Sequence, residues 1–126
     1  MNNSSGSEEK RGPARDTGEM DLVAWQNRLD AFAAERGWGP YLNPKNIAMA
    51  LSVEAAELVE LYQWASPDEA AAFGKTVPAQ REQVADELAD VLLYLLQMAR
   101  ATGIDLEAAA EAKIAKNALK YPVPKG

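Results

Sequence analysis

Two acidic pairs stand inside apolar helical stripes, and they limit what this chain can fold into. Glu54 and Glu57 form one pair, and Glu87 and Asp90 form the other, thirty-three residues later. Each pair has i, i+3 spacing, which makes its members neighbours on a helix surface. Ile47, Leu51, Glu54, Leu58 and Leu61 fall on one stripe, and Val84, Glu87, Val91, Tyr94 and Met98 on another. Each stripe therefore carries a carboxylate at a core-type position. An unpaired buried charge is costly, and no Lys or Arg lies within four residues of Glu54 or Glu57. Packing the two helices side by side would gather four carboxylates into one nest, self-repelling unless cations fill it. An all-oxygen nest suits Mg2+ or Mn2+. The bland alternative is a pair of solvated acidic faces; the recurrence and the seam positions argue against it.

The rest of the pattern is helical too. Leu22, Trp25, Leu29 and Phe32 draw one stripe, predicting a first helix from Met20 to Arg36 with Gly37 as its stop. Asn43-Pro44 reads as an N-cap and first helical position, opening a second helix to about Ala65. Ser66-Pro67-Asp68-Glu69 is a capping box that starts a short helix to about Phe73. A third main helix runs from Pro78 to Thr102, and a fourth from Leu106 to Leu119 behind Asp105. Tyr121-Pro122 ends it. Leu88 to Ala99 is apolar nearly all round, so that helix must be buried on several sides. The expected fold is an all-α bundle of four main helices, completed by oligomerisation. Residues 1–18 read as a disordered tail, 19–122 as the domain and 123–126 as a C-terminal tail.

Composition removes several chemistries. The 126-residue chain has no Cys and no His, which excludes thiolate nucleophiles, His-based triads, the usual structural zinc sites and Glu-x-x-His di-iron sites. A net charge of −6 argues against a nucleic-acid polymer as partner. The N-terminus lacks an apolar signal region, and Leu88–Ala99 is too short to span a bilayer. The expectation is a cytoplasmic protein with no membrane partner.

The segment Ser52-Val-Glu-Ala-Ala-Glu-Leu-Val-Glu-Leu-Tyr-Gln-Trp64, followed by Asp86-Glu-Leu-Ala-Asp-Val-Leu-Leu-Tyr94, resembles the MazG-like all-α nucleoside triphosphate pyrophosphohydrolases. Their signature is Glu-x-x-Glu on one helix and Glu-x-x-Asp on the next. Gly37-Trp38, Asn43-Pro-Lys-Asn46, Tyr62-Gln-Trp64 and Lys113…Asn117…Tyr121-Pro122 look most like the dCTP pyrophosphatase branch. The resemblance implies Mg2+-dependent hydrolysis of dCTP or a modified dCTP to the monophosphate and pyrophosphate, in nucleotide-pool sanitation. It implies Glu54, Glu57, Glu87 and Asp90 as metal ligands, with Glu54 or Glu57 activating water. It places Lys113, Asn117 and Tyr121, which lie four apart on one helical face, at the substrate's phosphates. It also suggests a homotetramer built as a dimer of dimers.

Trp38 and Trp64 are candidates to stack on a base, against core packing as the commoner fate of Trp. Tyr94 is a candidate to contact a sugar or a metal-bound water, or else it packs the seam. Lys116, Lys120, Lys45, Asn46 and Glu60 are weaker candidates. One departure leaves the base open: Leu42 stands where the branch carries a His. The alternatives are a dUTP, phosphoribosyl-ATP or general NTP pyrophosphatase, and a non-catalytic helical dimerisation module.

Overall fold

The structure is a computed structural model that describes residues 19–125. The expected disorder of 1–18 lies outside the described residues. Helices α1 (Leu22–Glu35), α2 (Pro44–Glu60), α3 (Pro67–Ala72), α4 (Pro78–Thr102) and α5 (Leu106–Lys120) follow in order, with a 3-10 turn at Gly39–Tyr41. No strand occurs among the described residues. The all-α expectation holds, with α3 as a short fifth helix among four main ones.

Local chemistry sets the helix ends. Asp21 caps α1 by accepting from the Ala24 N–H at 3.0 Å, so the helix starts later than the predicted Met20. At its far end the Trp38 N–H reaches Ala33 O and the Gly37 N–H reaches Ala34 O. That is a Schellman closure, and it needs the positive φ of 68° that Gly37 supplies. Asn43 caps α2 by accepting from the Asn46 N–H at 2.9 Å. Asn46 in turn donates its side-chain amide to Tyr41 O at 3.0 Å, so this weaker substrate candidate ties down the loop. Beyond Glu60 the chain tightens into i→i+3 bonds, Leu61 N–H to Leu58 O and Tyr62 N–H to Val59 O. This is why α2 stops short of the predicted Ala65. Both bonds of the Ser66/Glu69 capping box are made, at 3.2 and 2.9 Å.

Helices α2 and α4 form the main packed pair and run antiparallel in three tiers. Ile47 and Gln97 share the first, Glu54 and Asp90 the second, and Tyr62 and Val84 the third. The third tier is closed by Gly74, with φ 88°, where an added Cβ would lie 2.9 Å from Val84 Cγ2 and 3.3 Å from Tyr62 Oη. The Tyr62 hydroxyl donates to Phe73 O at 3.1 Å, which fixes the connection between the two helices. Helix α1 lies on α4: Gln26 Nε2 donates to Leu96 O at 2.9 Å, and Arg100 binds Asp30 at 2.6 Å and Asn27 at 3.0 Å.

The core inside one chain is small. Leu96 (0% exposed), Ile47 (1%), Ala33 and Ala99 are its buried hydrophobic residues among those described. Val53, Val59, Leu88 and Leu95 stay exposed along α2 and α4. Helix α5 packs along neither α2 nor α4, and its Ile114 and Leu119 are 71% and 86% exposed.

Candidate functional site

The middle tier brings together three of the four carboxylates that the spacing would gather. One carboxylate oxygen from each of Glu54, Glu87 and Asp90 lies within 4.8 Å of the others. Glu54 and Glu87 are half-buried and Asp90 is exposed. Glu57 stands beside this trio, since its charge acts on both Glu54 and Glu87 and it is in hydrogen-bonding reach of Glu87. The antiparallel register explains the meeting: one turn of α2 carrying two acids faces one turn of α4 carrying two more.

The electrostatics record the crowding. Burial first, then the charge of Glu57, then a hydrogen bond and the charge of Asp90, and last Glu87, push the Glu54 carboxyl up to about 7 from an ordinary 4.5. Glu87 is also raised, first by burial and then by the charge of Glu57; a hydrogen bond with Glu54 acts the other way. Among the described residues no Lys or Arg forms a salt bridge with any of the four. Glu87 Oε1 is buried and has no hydrogen-bond partner. A buried carboxylate oxygen left bare in a native site calls for an explanation. A divalent cation bound there would supply one. Oxygens that ligate one ion at about 2.0–2.6 Å stand no more than about 4–5 Å apart. The trio meets that limit with hard donors only, the set that Mg2+ and Mn2+ favour.

The other candidates are not all brought to this nest. Tyr94 is half-buried on α4, one turn beyond Asp90. Trp38 lies before α2 and packs edge-on against Phe32, with ring centroids 5.6 Å apart. Trp64 lies past the other end of α2 and is 89% exposed. The 17 residues of α2 rise about 25 Å, so the two tryptophans do not flank one base within a single chain. Lys113, Asn117 and Tyr121 share a face of α5 and its cap, and that helix stands apart from the carboxylates of its own chain. Leu42, the departure from the family pattern, lines a cavity together with Ile47 and Gln97. Gln97 was not among the sequence candidates; in the sequence it reads only as an interruption of an apolar run.

The fold and the site define a class: an all-α protein with a carboxylate cluster that could hold a metal ion between two antiparallel helices. Comparison with known proteins agrees. The chain belongs to the MazG-like family, whose model matches residues 49–126. It is 40% identical over 112 residues to dCTP pyrophosphatase 1 of Bos taurus and 41% identical over 96 residues to that of Homo sapiens. These matches cover 89% and 75% of this chain but only 66% and 56% of the relatives. A solved pyrophosphatase from Archaeoglobus fulgidus DSM 4304 superposes with a TM-score of 0.74 at 34% identity, covering 90% of this chain and all of that one. Among the described residues, no helix is long and apolar enough to cross a membrane.

Proposed function

We propose that this chain is a Mg2+-dependent nucleoside triphosphate pyrophosphohydrolase, with dCTP or a modified dCTP as substrate. The observation that carries the reading is the unpartnered, buried Glu87 Oε1 inside a convergent carboxylate cluster. The names of the relatives supply the substrate class. Glu54, Glu57, Glu87 and Asp90 would hold the cation. Bound there, it would offset the charge of the triphosphate and stabilise charge gathering on the leaving pyrophosphate.

The chain's own groups do the remaining work. Glu54 or Glu57 holds the attacking water and takes its proton as oxygen bonds to the α-phosphorus. Tyr94, one turn from Asp90, serves the sugar. Lys113, Asn117 and Tyr121 serve the phosphates from α5, and Trp38 and Trp64 serve the base. Because α5 stands apart from its own nest and the tryptophans lie at opposite ends of α2, this assignment requires more than one chain per site. The exposed apolar residues of α2, α4 and α5 support such an oligomer, and a dimer of dimers is the form we propose.

The test is a panel of dCTP, dUTP, dTTP, dATP, dGTP and ribonucleotides with Mg2+ or Mn2+, with products resolved by phosphorus NMR. Monophosphate and pyrophosphate in equal amounts, fastest from a cytosine nucleotide, is the expected result. Release of orthophosphate, or turnover of none, would overturn the proposal.

A further inference from the structure

We propose that the peptide at Phe73–Lys75 is a clasp that fixes the register of α2 on α4, and that Tyr62 and Gln80, which grip it, are positioning residues that set the site's preference for Mg2+ over Ca2+. This deepens the cation reading above and rests on it.

The trio of candidate ligands straddles two helices. Glu54 comes from α2, and Glu87 and Asp90 come from α4, with one oxygen of each within 4.8 Å of the others. A slide of one helix along the other therefore changes the spacing of the donors directly. The tolerance is narrow. Mg2+ requires near-octahedral oxygens at about 2.0–2.1 Å, whereas Ca2+ accepts about six to eight oxygens at about 2.3–2.6 Å in flexible geometry. A change of about half an ångström is enough to separate the two ions. The carboxylates repel one another, so the register must be held from outside the cluster. Toward one end of the pair the core is apolar, with Ile47 and Leu96 buried, and apolar burial is non-directional. The other end is polar and directional.

There, one peptide group is gripped from both helices. The carbonyl of Phe73 accepts from the Tyr62 hydroxyl at 3.1 Å, and the N–H of Gly74 donates to Gln80 Oε1 at 3.2 Å. Tyr62 sits in the tightened turn that ends α2, and Gln80 in the first turn of α4. Arg81, next to Gln80, donates to Gly74 O at 3.3 Å and to Lys75 O at 2.8 Å. Sterics add to the grip, since the Gly74 backbone is wedged where a Cβ would meet both Val84 Cγ2 and Tyr62 Oη. Val84 lies three residues before Glu87, a rise of about 4.5 Å, so the wedge acts one turn from the ligands. Tyr62 and Gln80 are half-buried and Arg81 is exposed, so the first two bonds face less competition from water. The Tyr62 ring also packs edge-on against Phe73, with centroids 5.3 Å apart, and this contact survives loss of the hydroxyl. Removing groups that orient a metal's ligands typically costs about 10–100-fold in affinity.

The experiment compares the full-length chain with Tyr62→Phe, Gln80→Leu and Gln80→Glu. Bound Mn2+ is followed by electron paramagnetic resonance and displaced with Mg2+ or with Ca2+, which gives both affinities without nucleotide or turnover. Circular dichroism confirms that each variant is folded. In Tyr62→Phe and in Gln80→Leu, Mg2+ affinity should fall about tenfold while Ca2+ affinity stays within about twofold, because the larger ion tolerates the loosened register. Gln80→Glu keeps the accepting oxygen and should keep the wild-type ratio of the two affinities. A clasp that served only the fold would lower Tm and leave the ratio unchanged. An unchanged ratio in a folded Tyr62→Phe or Gln80→Leu, including an equal loss for both ions, would overturn the positioning role and leave the cation site standing. Either of these two variants decides the matter should the other fail to fold. Failure of the wild type to bind Mn2+ would overturn the cation reading itself, and the clasp's role with it.

Discussion

The closure at Gly74 makes the sharpest structural prediction, because it sets how α2 meets α4 one tier below the carboxylates. In Gly74→Ala the new Cβ meets two separate costs. The backbone there has φ 88°, a region that an L-residue occupies at a cost of about 1–2 kcal/mol. The Cβ would also sit 2.9 Å from Val84 Cγ2 and 3.3 Å from Tyr62 Oη. Val84 is β-branched and held to one rotamer in a helix, and Tyr62 is tied to Phe73 O. Neither can swing aside, so the start of α4 must shift, an overpacking cost of about 1–3 kcal/mol. The sum is about 2–5 kcal/mol, which for a domain of this size lowers Tm by about 10–30 °C. Circular dichroism at 222 nm, at fixed protein concentration, reads it. Adding Val84→Ala to Gly74→Ala should restore part of the loss, beyond the sum of the single variants, because it relieves the contact but not the φ strain. A Gly74→Ala protein that melts within 3 °C of wild type, or a double variant with no recovery, would refute this account of the closure.

Three further predictions concern the site and core. Glu54→Gln and Asp90→Asn should each abolish hydrolysis while sedimentation and helix content stay as in wild type; full activity in either means the ligand set is wrong. Without metal, stability should fall as pH rises from about 4.5 to about 7 and level off above. The unfolded Glu54 ionises near 4.5 while the folded one keeps its proton to about 7, so the unfolded state binds fewer protons across that window. Urea titrations in EDTA check the slope, and saturating Mg2+ should flatten it. Leu96→Ala, at a fully buried position, should cost about 2–5 kcal/mol, measured by the same urea titration; a cost below about 1 kcal/mol would mean Leu96 is not central to the core.

Much of the fold was legible because its signals are local. Asn43-Pro44, Ser66 with Glu69, Asp105 and Gly103 mark helix ends that depend on a few neighbouring atoms, and α4 spans Pro78–Thr102 as predicted. The misplaced ends are the ones where a neighbouring turn competes, at Asp21 and at Leu61–Trp64. The carboxylate cluster was legible because a charge in an apolar seam has few physical resolutions. What the sequence did not display is relative placement. It did not show that Trp38 and Trp64 stand at opposite ends of α2, or that the Lys113 face lies away from its own nest, because both depend on how helices are docked.

The account rests most heavily on the claim that the carboxylates between α2 and α4 hold a divalent cation. Titration of Mn2+ into the metal-free chain, followed by electron paramagnetic resonance, addresses it directly. We expect saturable binding in the wild type and loss of that binding in Glu87→Gln, whose replaced carboxylate has the bare buried oxygen. Equal Mn2+ binding by the two proteins, or none by the wild type, would contradict it.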